Sequence, residues 1–270
     1  MFRLPGAFSE YRCARCGFVR LDPKPKDIKK YYPPKRYYSY TTGKLSFFGW
    51  LRSFLIRHNL LLFVPAMPRS KIGKILDIGC GGGDTLMLLQ GLGWEAHGLD
   101  IDKNAILAAK KRGLQRVSFG TMDVLKKYPN NFFDAIRLYH VIEHLEDPDT
   151  CLRVARQKLK KGGEIIIGTP NIGSLVAKLF GSRWYNLDAP RHLYLFTPKN
   201  LRVLVSRNKY SNIAITYSSA GGWIGSIQYL FSEKIDLINR QWLILLFYPL
   251  EWSLDRLALG DVFVLRAQKI

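Results

Sequence analysis

Lys74-Ile-Leu-Asp-Ile-Gly-Cys-Gly-Gly-Gly-Asp-Thr-Leu86 is the stretch on which the reading of this chain turns. Ile75, Leu76 and Ile78 form a short apolar run of the kind a fully buried strand carries. A glycine cluster follows, and a helical pattern opens at Asp84. Gly79, Gly81 and Gly83 alternate, so the backbone can bend sharply there and approach a ligand closely. Asp77 stands at the carboxyl end of the strand, where open α/β sheets bind their ligands. An aspartate in that place suits a ligand carrying a cation. A structural turn without a ligand is the alternative, but glycines at this density weaken a fold unless something needs the space.

Two cofactor classes use such a turn. Dinucleotide enzymes carry G-x-G-x-x-G, which lays a pyrophosphate on helix N–H groups. Counted from Gly79, the third glycine falls on Asp84, whose charge opposes a pyrophosphate. The pattern present is D-x-G-x-G-x-G, at Asp77, Gly79, Gly81 and Gly83. It resembles motif I of the class I S-adenosylmethionine (SAM) methyltransferases. The resemblance implies that the turn holds the methionine part of SAM and that Asp77 pairs with its amino group.

Residues 95–99 read as a second strand ending in Asp100-Ile-Asp102. Asp100 lies about twenty residues beyond the first glycine, where an acid accepts hydrogen bonds from ribose hydroxyls in either cofactor class. By the same resemblance Ile101 lies against the adenine. Asp123 and Val124, after a third strand at 116–119, are the further adenine contacts. A fourth strand at 133–139 runs into His140-Val-Ile-Glu-His-Leu145. The run FDAIRLYHVIEHLEDP resembles a motif of the methyltransferase group that includes the ubiquinone-biosynthesis O-methyltransferases. It implies that His140 lies at the strand end below the SAM methyl group, with Glu143 and His144 on the next turn. A histidine there can take a proton from a substrate hydroxyl near neutral pH. Glu143 orients an imidazole or shares a divalent cation; no metal site is assigned. The plainer alternative is that Glu143 and His144 brace the loop.

A helix at 150–160 is expected to close on Lys161-Gly-Gly163 as a C-cap. A fifth strand follows at 164–168, then a short helix at 174–180. The polar, aromatic loop 183–196 leads to Thr197-Pro198, an N-cap with proline at the first helical position. Arg-His-Leu followed by Phe-Thr-Pro recurs in the same family, which makes Arg191 and His192 acceptor-side candidates. Pairing of Arg191 with Asp188 is the alternative. Strands at 213–217 and 262–267 complete the pattern. The stretch between them, 221–260, is too long for a hairpin, and its apolar residues indicate two helices. They cover the core, make a dimer contact, or lay an apolar face on a membrane. The family implies a doubly wound α/β sheet of seven strands in the order 3-2-1-4-5-7-6, the last antiparallel.

At 270 residues and 47% hydrophobic, the chain has ample material for one large domain with appendages. We divide it into a basic amino-terminal part, 1–69, and a methyltransferase domain, 70–270. Its formal charge of +20 comes from 41 basic and 21 acidic residues, a surplus that implies anionic surroundings. Residues 10–25 contain Cys13-x-x-Cys16-Gly, one knuckle of a zinc ribbon, but tetrahedral zinc wants four ligands and no second C-x-x-C exists. Residues 27–45 interleave Tyr, Pro and Lys as an extended arm, and 45–64 has the spacing of an amphipathic helix. The four cysteines show no disulfide framework, residues 1–10 lack the apolar run of a signal peptide, and no apolar run reaches the ~18 residues that span a bilayer. The expectation is a cytoplasmic SAM-dependent methyltransferase, in peripheral contact with the inner face of the membrane. Its acceptor is a hydroxyl of a small molecule, glycan or lipid-linked intermediate, and nucleic acid is set aside. A nicotinamide oxidoreductase, or a non-catalytic membrane- or RNA-binding module on the same fold, is the alternative.

Overall fold

The computed structural model describes residues 8–14, 17–25, 27–31, 66–217, 219, 221–231 and 241–270. The helix expected at 45–64, the arm beyond residue 31 and Cys16 lie outside the described residues.

The motif-bearing strand, β3 (Lys74–Ile78), is central because both of its faces are apolar. Ile75 and Leu76 point to opposite sides. Ile75 belongs to one buried cluster with Leu86, Leu89 and Ile106, and Leu76 to another with Leu138, Leu152 and Phe263. Helices therefore cover both faces: α1 (Asp84–Gly91) and α2 (Lys103–Lys111) on one, α4 (Pro148–Lys158) and α6 (Pro198–Arg207) on the other. Each such fully buried Leu or Ile contributes ~1.5–3 kcal/mol over its exposed state, which fixes the layering.

The other six strands of its sheet are β4 (Glu95–Asp100), β5 (Val117–Phe119), β6 (Phe133–Tyr139), β7 (Leu159–Pro170), β9 (Tyr210–Tyr217) and β10 (Val262–Lys269). They form a seven-stranded sheet in the order β5-β4-β3-β6-β7-β10-β9. The pairs from β5 to β7 are parallel, and β10 runs antiparallel to both neighbours. Counted along the chain this is the expected order 3-2-1-4-5-7-6.

Local chemistry sets the helix ends. Asp102 caps α2 by accepting from Asn104 N at 2.8 Å, and Thr197 and Asn200 form a reciprocal capping box on α6. Helix α1 is different: its N-cap is Gly83 in the left-handed region, with no side-chain cap. The first N–H groups of a helix lack intrahelical partners, so this end is left to bind something else.

One expectation needs correction. Lys161-Gly-Gly163 is not a helix C-cap. Helix α4 ends at Lys158 and β7 begins at once at Leu159, pairing with Phe133. The glycines take up a register shift between the pairs Phe133↔Leu159 and Ala135↔Glu164, so glycine serves a β-bulge here. The segment Met122–Lys127, which carries Asp123 and Val124, is a short helix, α3.

A second sheet ties the amino-terminal segment to the loop before α6. β1 (Ser9–Arg12) and β2 (Val19–Asp22) form an antiparallel hairpin, and β2 pairs with β8 (Tyr194–Leu195). Val19 is buried with Trp184 and Leu195, so the hairpin packs on the domain across the boundary expected at residue 69. Cys13 stands exposed at the end of β1. Between β9 and β10 lie two helices, α7 (Gly222–Phe231) and α8 (Gln241–Arg256). A further short helix, α5 (Leu175–Phe180), packs on α7.

Candidate active site

At the carboxyl ends of β3 and β4 the glycine turn folds as its sequence requires. Gly79, Gly81 and Gly83 take φ values of 76°, 53° and 84°, a region that side chains rarely adopt. A Cβ on Gly79 would also lie 2.3 Å from Val141 Cγ2. The turn is bound to β4, since Gly79 N and Cys80 N both donate to Leu99 O.

Asp100 sits beside this turn at the end of β4. Its Oδ2 accepts from Gly81 N and its Oδ1 from Asp102 N, each at 2.8 Å. An ionised carboxylate has about four acceptor positions, so two remain for hydroxyl donors. Burial raises its pKa, and the nearby charges of Asp102 and Asp77 add to the rise. A cationic ligand relieves that strain, and the site therefore fits SAM. Ile101 follows with 70% of its surface exposed, and Phe119, the register partner of Asp100, with 55%. Two bare apolar side chains at this corner suit a flat aromatic base. Val124 is partly buried, and Asp123 is exposed and paired with Lys126 at 3.3 Å. A cavity of about 470 Å³ lies on the outer side of the corner, bounded by Lys103, Ile106, Leu107, Phe119 and Val124. It is separate from the glycine turn.

Asp77 is fully buried, and its Oδ1 accepts from Arg137 Nη1 at 2.7 Å. The two residues are register partners on adjacent parallel strands. Asp77 thus lies beneath the turn with its charge balanced from within the sheet.

At the end of β6 the histidine motif gathers as expected. His140 has a φ of 54°, an uncommon backbone state that often marks functional sites. Its Nδ1 lies 3.2 Å from Glu143 Oε1, and Thr169 Oγ1 donates to Glu143 Oε2 at 3.0 Å. Burial penalises the Glu143 carboxylate. The hydrogen bond from His140 and the neighbouring imidazoles overcome this and hold its pKa low, at about 2. Glu143 stays ionised, accepts from His140 Nδ1–H and leaves Nε2 as the open nitrogen.

His144 and His192 stack edge to face with ring centroids 4.7 Å apart. The Nδ1 of His144 lies 3.0 Å from Arg191 O, and that of His192 lies 2.9 Å from Asn186 O. A carbonyl only accepts, so in both rings Nδ1 carries the proton. Burial pushes the pKa of each down to about 4, so both are neutral at pH 7 with Nε2 as a lone-pair donor. Glu143, His144 and His192 each place one ligand atom within 4.8 Å of the others. Two imidazoles and a carboxylate are a donor set able to hold a divalent transition ion. Arg191 is buried and bonded to Asp188, with its Nε 3.1 Å from Asp188 Oδ1.

Sequence reasoning missed Arg137, Thr169, Asn186 and Phe119. Arg137 had a visible signal, a lone charge inside an apolar strand. Thr169 had a weaker one, a hydroxyl at a strand's carboxyl end. The other two depend on pairings that only the fold reveals.

A seven-stranded sheet of this order, with a glycine turn after its first strand and an acid at the end of its second, defines the class I SAM-dependent methyltransferase fold. The model of the methyltransferase domain family matches residues 49–215, and the chain belongs to that family; its cofactor is S-adenosylmethionine. Among curated relatives, the ubiquinone biosynthesis O-methyltransferase of Shewanella sp. (strain ANA-3) is 26% identical over 61% of this chain and 73% of its own length. The human mitochondrial ubiquinone biosynthesis O-methyltransferase is 34% identical over 45% of this chain, a match spanning 36% of the human protein. In fold, a SAM-dependent methyltransferase from Archaeoglobus fulgidus matches with a TM-score of 0.55 at 23% identity, covering 82% of this chain and 94% of that one. The phosphoethanolamine N-methyltransferase 2 of Haemonchus contortus matches with a TM-score of 0.56 at 18% identity, covering 93% and 62%.

Proposed function

We propose that this protein transfers a methyl group from SAM to a hydroxyl of a small-molecule, glycan or lipid-linked acceptor, with His140 as the general base. The observation that carries the base assignment is the chain Thr169–Glu143–His140. When bound, SAM supplies an electrophilic methyl group on a sulfonium. The glycine turn and Asp100 hold the methionine and ribose parts, Asp77 braces the turn from below, and Ile101, Phe119, Asp123 and Val124 face the adenine. Alignment of donor with acceptor supplies ~7–11 kcal/mol of the barrier. Glu143 fixes the His140 tautomer, as the orienting acid does in a catalytic triad. His140 Nε2 then takes the hydroxyl proton as the oxygen attacks. His144 and His192 form the acceptor-side wall. The O-methyltransferase names of the curated relatives support a hydroxyl acceptor.

With SAM and catechol as a hydroxyl probe, His140→Ala is expected to lower turnover ~10²–10⁴-fold, the usual worth of base assistance, at unchanged SAM affinity. Equal turnover in parent and variant rejects His140 as the base. Full activity after chelation removes a metal role for Glu143, His144 and His192.

The same reading places the enzyme in the cytoplasm, in peripheral contact with the inner face of the membrane. No helix among the described residues is long and apolar enough to cross a bilayer. The support is α8, which exposes Leu246 and Leu250, with Leu257 exposed just past its end, while its Glu251 turns inward onto Gly221 N at 2.9 Å. Residues spaced by four and by seven share one helix face, so the outer stripe is apolar and the acid is internal. Exposed Arg256 lies over the Trp252 ring at 4.2 Å, a cation at the rim of that stripe.

A further inference from the structure

Behind His192 runs a chain of hydrogen bonds that leads out to α8. Its first link is the Asn186 carbonyl, which receives the Nδ1 proton at 2.9 Å. Asn186 is itself fixed by its side chain, whose amide donates to Asp261 Oδ2 at 2.6 Å. The other oxygen of Asp261 accepts from the Trp184 indole at 2.6 Å and from Ser174 Oγ at 3.1 Å. The Asp261 backbone N–H donates to Ser219 Oγ at 2.6 Å, and that hydroxyl donates to Asp255 Oδ1 on α8, also at 2.6 Å.

Asp261 is 2% exposed, and no ion pair reaches its carboxylate among the described residues. A buried charge met only by neutral donors is an expensive arrangement. Packing alone does not call for it. What a carboxylate does that no other group of this size can do is accept at every position. Here it gathers three donors, from the indole, the serine and the asparagine, onto one residue at the start of β10. An amide in its place would turn an NH₂ group against at least one of them.

We propose that Asp261 is a positioning residue for methyl transfer: acting through Asn186, it fixes the ring orientation and the Nδ1–H tautomer of His192. This rests on the reading of His192 as part of the acceptor wall. The lone pair on His192 Nε2 then faces Glu143 and His144. If Asn186 is released, its carbonyl can swing away and the ring can flip or change tautomer. A competing acceptor, Asp188 Oδ2, is 3.8 Å from Nε2. That is too long for a hydrogen bond, but close enough to capture a proton once the Nδ1 link is lost.

The test uses the full chain with ¹⁵N-labelled histidine and long-range ¹H–¹⁵N spectra, His192 being assigned with His192→Gln. The parent is expected to show His192 protonated at Nδ1 alone. In Asp261→Asn and in Asn186→Ala the Nε2–H form should become comparably populated, while SAM affinity by calorimetry stays within twofold. With catechol as probe, kcat should fall at least tenfold in both variants. A His192 tautomer unchanged in both variants overturns the proposal, and Asn186→Ala decides alone if Asp261→Asn does not fold. A changed tautomer together with His192→Gln at full turnover leaves the positioning link intact and instead rejects His192 as an acceptor-side residue.

Discussion

Arg137 and Asp100 show how the same charge chemistry serves structure and ligand binding a few ångströms apart. Both aspartates of the site, Asp77 and Asp100, are pushed upward in pKa by burial. Asp77 is answered by Arg137 within the sheet, whereas Asp100 is answered only by two backbone N–H groups. Asp100 is the one whose remaining lone pairs call for a ligand. Hydrogen bonds to a charged acceptor are worth ~1.5–3 kcal/mol each. Asp100→Ala, which removes both expected ribose bonds, should therefore weaken SAM binding by at least two orders of magnitude in calorimetry. Binding as tight as the parent's would reject Asp100 as the ribose ligand. At this scale the sequence was legible wherever a residue type and a position sufficed: the glycine turn, Asp100 and the histidine motif. For Asp77, expected from the resemblance to pair with the SAM amino group, it did not show the Arg137 partner, whose place depends on the register between β3 and β6.

At the scale of elements, α7 and α8 are held to the sheet by carboxylates that lie inside. Burial raises Glu251 to about 7, with Asp261 and Asp255 adding to the rise against the hydrogen bond from Gly221 N. Its folded pKa exceeds the ordinary 4.5, so its stabilising contribution is complete below that value and is lost as pH rises through about 7. A shift of this size corresponds to about 3 kcal/mol. Glu251→Gln keeps one acceptor for Gly221 N and carries no charge. It should raise the unfolding midpoint at pH 8.5 and leave it unchanged or lower at pH 4.5. A gain of equal size at both pH values would show that the charge is not the cause. His144 and His192 act in the opposite sense. Their depressed pKa values give stability that is present above 6.5 and is lost as pH falls through about 4. Element boundaries were the less legible part: Lys161-Gly-Gly163 carries the same residues as a C-cap, and only pairing with β6 turns them into a bulge.

For the whole molecule, charge and apolar surface combine. The net charge is +20, and the leucine stripe of α8 keeps its acid inside. Each Lys or Arg near an anionic leaflet adds ~1 kcal/mol of attraction, and leucine burial adds to it. Co-sedimentation with vesicles should therefore need anionic lipid, weaken with salt, and fall when Leu246, Leu250 and Leu257 are changed together to Gln. Failure to sediment with anionic vesicles at low salt would sink the membrane reading. A dimer in ultracentrifugation that the same triple variant dissolves would assign the stripe to a second copy. The sheet order was legible because two strong motifs fixed the family, whereas the hairpin's place beside β8 was not, since nothing local to residues 9–22 names a partner.

That hairpin also bears on the order in which the protein is made. Its tip is held from far along the chain: Asn200 Nδ2 contacts the Gly17 carbonyl across 183 residues, and Leu21 N binds Leu193 O. A lone two-stranded hairpin is marginal in water. At roughly 5–20 residues per second of synthesis, it waits about ten to forty seconds for β8 to emerge. During that interval β3, β4 and β6 are already out of the ribosome, so the cofactor half of the site can assemble before the acceptor half has its outer strand. The newborn chain thus gains the means to hold its methyl donor before it gains the wall against which an acceptor is aligned.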